Sequence, residues 1–284
     1  MNIVCFYHAA DYDGICSGAI VKHWAKTEHN IDAILLGVDY HYDFKDYEKY
    51  ITLENEVYVI DFSWPLDVMQ RIEKEAKKLI WIDHHGPTFK EFAKSRFNPY
   101  GLRADGVAAC QLTWVYLFSM TEIPRAIELL GRYDIWDLDD NVLAFQYGVK
   151  SLNLTIEDPA WESLFGDSSM LLKDIFDAGW PVYKYVQAED AKYMKSFAFE
   201  TEIDGFKVLA CNRAKTNFLF FKSMYDPKKH DMVCSYAWTG TTYAVSLYTD
   251  KEDVDVSVIC KKYGGGGHKK ASGFSCEKLP FKEK

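Results

Sequence analysis

The chain has 284 residues, a formal net charge of −9, 48% hydrophobic residues and 16% aromatics. That composition builds a well-buried core and excludes intrinsic disorder. The charge argues against binding along duplex DNA, which needs many phosphate-neutralising Lys and Arg side chains.

The length suits one large domain or two modest ones, and two is the expected split. No apolar run is long enough for a bilayer-spanning helix, and the first residues, MNIVCFYH, lack a basic region followed by a long apolar core. The expected location is therefore cytoplasmic, with no membrane partner. The seven cysteines are scattered, odd in number and never spaced C-x-x-C, as expected of small buried hydrophobes in a reducing compartment.

In chain order, NIVCFYH (2–8) reads as a strand and ICSGAIVKHWAK (15–26) as a helix. DAILLGVD (32–39) and EVYVIDFS (56–63) are further strands, and Pro65 opens the helix PLDVMQRIEKEAKK. LIWIDHH (79–85) is the fourth strand. Strands alternating with helical patterns predict an α/β fold with a mostly parallel sheet flanked by helices. From about 105 to 200 the pattern is helical, through GVAACQLTWVYLF, PRAIELLGRYDIW and the stretch 168–200. FKVLACN (206–212), DMVCSYAW (231–238) and TYAVSLYT (242–249) then read as strands and VDVSVICKKY (254–263) as a helix. This predicts a smaller C-terminal α/β domain, with the boundary near 185–200.

Parallel sheets place ligands at the carboxyl ends of their strands. The first strand ends in His8, Asp11 and Asp13, the third in Asp61, and the fourth in Asp83, His84 and His85. Within RYDIWDLDD, any of Asp134, Asp137, Asp139 and Asp140 could join them. Taken singly, each has an ordinary explanation as a helix cap, a polar turn or a solvated helix end. Gathered at consecutive strand ends, so many carboxylates would repel one another strongly unless cations lay between them. Mixed Asp and His ligands without thiolate suit Mn²⁺ or Mg²⁺. Two ions about 3.5–4 Å apart are the usual device for displacement at phosphorus.

A second feature is Gly264, Gly265, Gly266 and Gly267 before His268, with Lys261, Lys262, Lys269 and Lys270 around them. Such a run reads as a flexible, side-chain-free segment whose N–H groups can approach an anion, set in a basic island.

HAADYDG, VIDFS, IDHHG and RYDIWD, in this order, resemble the four motifs of the DHH phosphoesterase family. GGGGHKKASGF resembles the signature of that family's smaller DHH-associated C-terminal domain, and the subgroup most similar is that of the oligoribonucleases called nano-RNases. The resemblance implies a catalytic domain over 1–185, a helical connector over 186–200 and a substrate-binding domain over 201–284. It implies that His8, Asp11 and Asp61 hold one Mn²⁺ and that Asp13, Asp61, His84 and Asp134 hold the other, with Mg²⁺ or Co²⁺ as substitutes and Asp61 bridging. His85 would face the scissile phosphate, Asp83 would orient the imidazoles, and the glycine loop with His268 would grip the far end of the substrate. Two departures stand out. SLYT replaces the family's frequent SLRS, so that Tyr248 stands where an Arg is common and could stack on a base. The first motif is also one residue shorter between His and Asp than in some relatives.

The expected activity is metal-dependent hydrolysis of short oligoribonucleotides to mononucleotides. The same residues would serve a phosphatase of 3′-phosphoadenosine 5′-phosphate-type nucleotides or a phosphodiesterase of cyclic or linear dinucleotides. A non-catalytic nucleotide sensor is the third reading, which the intact ligand set disfavours. The aromatic content leaves room for a homodimer surface.

Overall fold

The computed structural model describes residues 2–39, 43–119, 121–166 and 168–281, which fall into two compact units, Met1–Tyr183 and Lys184–Lys284. The first unit is built on four strands, β1 (Asn2–His8), β2 (Ile34–Val38), β3 (Asn55–Ile60) and β4 (Lys78–Ile82). All pair in parallel, in the order β2-β1-β3-β4. The central strands are buried on both faces, which is why they read as near-continuous apolar runs. Ile3, Cys5 and Tyr7 of β1 join Tyr58 and Ile60 of β3 on one side, while Val4 and Phe6 join Val57 and Val59 on the other.

Helix α1 (Tyr12–His29) belongs to the first of these layers, and α2 (Leu66–Glu75) sends Met69 and Ile72 into the second. Then follow α3 (Gly86–Ala93), α4 (Ala109–Leu117), α5 (Arg125–Asp134), α6 (Asp140–Leu152) and α7 (Ala160–Phe165). Helices α1, α4, α5, α6 and α7 share a core that includes Ile20, Trp114, Leu129, Phe145 and Leu164. Because β2 and β3 lie on opposite sides of β1, the strand order reverses there, and the carboxyl ends of β1 and β3 border a switch-point crevice.

The division between units falls within α8 (Ser169–Phe197). The second unit carries a six-stranded mixed sheet ordered β5-β6-β7-β8-β10-β9. Its strands are β5 (Ala198–Ile203), β6 (Phe206–Asn212), β7 (Met232–Trp238), β8 (Tyr243–Tyr248), β9 (Gly266–Gly267) and β10 (Ala271–Cys276), and α9 (Val256–Lys262) precedes β9. The α/β architecture thus agrees with the sequence reading, with one difference. The helix ends at Phe197, and residues 198–200, expected in a helical connector, begin β5. Asp204 and Gly205, both at positive φ, turn β5 into β6, the two-residue hairpin chemistry of a primed turn.

The seven cysteines are unpaired, six of them buried. Among the described residues no helix is long and apolar enough to cross a membrane.

Candidate metal centre

His8 is the last residue of β1, and Asp61, Asp83 and His84 follow the ends of β3 and β4. The chain turns sharply at Asp61, which has φ 65°, a left-handed conformation that Asp tolerates better than bulkier residues. Its side chain is 2% exposed. His84 Nε2 lies 3.2 Å from Asp61 Oδ1, 3.3 Å from Asp134 Oδ2 and 3.7 Å from Asp13 Oδ2. One imidazole therefore meets carboxylates from the ends of β3, α5 and α1. His8 Nε2 lies 3.6 Å from Asp11 Oδ2.

Each carboxylate is placed by a local reason. Asp11 caps α1, accepting from Gly14 N through Oδ1 (3.1 Å) and leaving Oδ2 toward His8. Asp13 is buried and accepts from Ala109 N (2.8 Å) and Cys110 N (2.7 Å), so it neutralises the N-terminus of α4. A carboxylate oxygen has two lone-pair sites, so these bonds leave Asp13 able to ligate. The acidic run of RYDIWDLDD is resolved by its partners. Asp137 and Asp139 pair with Arg132 at 2.7 and 3.0 Å, Asp139 also caps α6, and Asp140 accepts from Tyr183 Oη at 2.8 Å. Asp134, the last residue of α5, is the member that faces the cluster.

Asp83 is fully buried and accepts from His85 N at 3.1 Å, and its Oδ1 lies 2.7 Å from His85 Nδ1. The Asp83 carboxyl oxygen fixes the proton on Nδ1 and leaves Nε2 for a reacting group. This hydrogen bond, outweighing burial, holds the His85 pKa above its ordinary value. His84 differs, because burial lowers its pKa and favours the neutral, ligating form.

Electrostatically the cluster crowds its carboxylates together. Burial, and then the charges of Asp13 and Asp11, raise Asp134 to about 8. Burial and the neighbouring carboxylates likewise push Asp61 well above the usual range. Asp61 Oδ1 and Asp83 Oδ2 are buried without a hydrogen-bond donor among the described residues, the approach of His84 to Asp61 failing that geometry. Among the described residues two sets of ligand atoms lie close enough to hold an ion: Asp61 with His84 and His85, and Asp13 with His84 and Asp134. Both are mixed oxygen and nitrogen sets without thiol, so a divalent cation fits the unmet acceptors and the surplus negative charge.

A cleft of about 270 Å³ opens beside the cluster, lined by His8, Asp61, Asp83 and His85 together with Asp39, Ser63 and Thr88. Asp39 follows β2 immediately, and the strand-end rule that singled out the other acids could have found it.

The close approach of α1 to β1 needs Gly14, where an added Cβ would stand 1.9 Å from His8 O. Gly14→Ala is expected to cost about 1–3 kcal/mol by overpacking and to weaken divalent-cation binding by moving His8 away from Asp11. Melting curves with and without Mn²⁺ would measure both effects. An unchanged melting temperature together with an unchanged metal response would show that this contact is unimportant.

In the second unit the glycine run is more ordered than a free loop. Gly264 N and Gly265 N donate to Lys261 O and Cys260 O, closing α9, and Gly266 and Gly267 pair with β10. His268 starts the tight turn into β10, with His268 N donating to Ala271 O at 2.8 Å. The basic island is largely compensated, Lys262 pairing with Asp204 and both Lys269 and Lys270 with Glu252. Tyr248 donates its hydroxyl to Thr216 O at 2.7 Å and its ring packs against the Leu209 and Phe221 cluster.

Residues 2–131 match the family model for the DHH family, N-terminal domain, a family of divalent-metal-dependent phosphoesterases. The chain is 26% identical over 309 aligned positions to Uncharacterized protein R106 of Acanthamoeba polyphaga mimivirus, covering 99% of this chain and 70% of that protein. Among solved structures, the pGpG-specific phosphodiesterase PggH of Vibrio cholerae matches with TM-score 0.57 and 12% identity, over 98% of this chain and 94% of that one. The DHH domain of a protein described as a member of a family of ribosomal proteins matches with TM-score 0.61 and 14% identity, over 97% and 82%. At these identities the structural likeness establishes the fold.

Proposed function

We propose that the protein is a divalent-metal-dependent phosphodiesterase of short oligoribonucleotides, releasing mononucleotides. The observation that carries this reading is the half-buried to buried, charge-frustrated cluster of Asp13, Asp61, His84 and Asp134 beside the carboxyl ends of parallel strands. Divalent ions held by His8, Asp11, Asp13, Asp61, His84 and Asp134 would lower the pKa of an attacking water and neutralise charge on the phosphate oxygens.

The chain's own contribution is orientation and proton handling. A cation held here would favour the ionised forms of Asp61 and Asp134, while Asp13 is anchored to the N-terminus of α4. Asp83 holds His85 Nδ1 and turns Nε2 toward the reacting phosphate, and the same hydrogen bond raises the His85 pKa, which favours a form able to donate to a phosphate or leaving-group oxygen.

The fold shared with a protein named a pGpG-specific phosphodiesterase supports the dinucleotide end of this substrate range. The proposed ions are Mn²⁺, with Mg²⁺ or Co²⁺ as substitutes, and Gly264, Gly265, Gly266, Gly267 and His268 are the proposed contacts to the rest of the substrate. Tyr248 contributes less to this reading, since its hydroxyl is bonded to Thr216.

Product analysis tests the proposal. Labelled di-, tri-, penta- and decaribonucleotides are incubated with protein and Mn²⁺, with and without EDTA. Mononucleotides released from the shortest RNAs, and lost with EDTA, are the expected result. Cleavage of bis-phosphorylated or cyclic nucleotides instead would redirect the substrate assignment and keep the chemistry. No metal-dependent hydrolysis of any of them would overturn the reading.

A further inference from the structure

A second cleft in the first unit shares only Asp11 with the metal cluster. It encloses about 450 Å³, within the range of small-molecule sites (about 300–1,000 Å³). Its apolar walls include Ile15, Tyr133, Leu154 and Ile156, and Asp11 lines its edge. Gln146 is a buried member of the lining, 5% exposed, and its Oε1 has no hydrogen-bond partner among the described residues. Burying a carbonyl oxygen without a donor is costly, so this atom points to a ligand that supplies one. One turn further along α6, Lys150 lines the same cleft, with Nζ 5.2 Å from the centre of the Tyr133 ring and no ion pair among the described residues.

A phosphate fits this environment poorly, because Asp11 shares the cleft and most of the wall is apolar. A flat heteroaromatic ring with donors and acceptors along its edge fits well. We propose that this cleft is a nucleobase subsite, in which Gln146 Oε1 accepts from an N–H of the base edge and Lys150 Nζ donates to a ring nitrogen or carbonyl of the same base. The subsite deepens the phosphoesterase reading and rests on it for its place in the reaction. Its position beside Asp11 would set the base of the nucleotide next to the bond being cleaved. Gln146 and Lys150 are then specificity residues that hold the substrate and touch no reacting atom.

Two measurements separate this idea from the reading beneath it. The first is binding of uncharged nucleosides to the full chain with Mg²⁺ present, followed by saturation-transfer NMR and by titration, with ribose 5-phosphate as the anionic probe. At least one nucleoside should bind, with affinity falling about tenfold in Gln146→Leu and in Lys150→Met, the loss of roughly one hydrogen bond. Lys150→Met changes a residue that is exposed overall and lies at the end of α6, and so remains informative if Gln146→Leu folds poorly. The second is the ratio of kcat/KM for a dinucleotide to that for the base-less diester bis(p-nitrophenyl) phosphate, which should fall about tenfold in both variants. Absence of nucleoside binding, or equal competition by ribose 5-phosphate, overturns the proposal. So does an equal loss on both diesters, which would make Lys150 a counter-charge to the acidic cluster. If the wild-type chain hydrolyses neither diester, the phosphoesterase reading fails, while nucleoside binding still decides whether the cleft recognises a base.

Discussion

Replacing Asp61 by Asn is expected to lower kcat/KM for a short diester by about three orders of magnitude, close to 4 kcal/mol of transition-state stabilisation. The same change should raise the melting temperature of the metal-free protein. Both effects have one cause. Asp61 is buried, its Oδ1 has no hydrogen-bond donor among the described residues, and Asp13, Asp11, Asp134 and Asp83 all oppose its charge. Without a cation that charge is a liability that Asn removes; with a cation it is the ligand that reaches His84 and the other carboxylates. Asn adopts the left-handed conformation of residue 61 as readily as Asp, so the backbone turn is kept and the substitution reports on charge. Activity within tenfold of wild type would remove Asp61 from the site. Lower activity with unchanged metal-free stability would show that the cluster is not strained by its own charge.

How far the sequence led depended on whether local pattern or distant partners decided each feature. The four parallel strands were legible because β1, β3 and β4 are buried on both faces and read as apolar runs. Their polar ends then marked His8, Asp61, Asp83, His84 and His85. The choice among Asp134, Asp137, Asp139 and Asp140 was not legible from spacing. It depends on Arg132, which pairs with two of them, and on Tyr183, far along the chain, which engages a third. Asp13 likewise looks like a turn residue until α4 is seen to deliver the Ala109 and Cys110 N–H groups to it. Strand β5 was absorbed into the preceding helix because α8 continues its apolar spacing to Phe197. The Asp204-Gly205 pair between alternating residues was the overlooked hairpin signal. The glycine run read as a loop because glycine permits many conformations, and its closure of α9 and pairing with β10 depend on neighbours that composition does not reveal.

The acidic cluster also fixes how stability should change with pH. For Asp134 the folded-state pKa of about 8 lies above the ordinary 3.8, so the folded protein binds its proton more tightly than the unfolded chain. The stabilisation is fully present below about pH 4 and is lost as pH rises toward 8. Asp13 and Asp61 shift in the same direction through burial, and His85 does so through its bond to Asp83. His84, lowered by burial, opposes them, costing stability as pH falls below 6.5. The four groups outweigh the one. The metal-free protein should therefore melt higher at pH 5.5 than at pH 8, by a few degrees, corresponding to on the order of 2 kcal/mol for a chain of this size. A divalent cation reverses the slope, because it binds the deprotonated carboxylates and releases their protons, so the stabilisation by Mn²⁺ should grow from pH 5.5 to pH 8. Calorimetry at both pH values, with EDTA and with Mn²⁺, reads all four quantities. A metal-free melting temperature that is flat or rises toward pH 8, or a Mn²⁺ effect that shrinks over the same range, would mean that the cluster keeps its carboxylates charged without an ion.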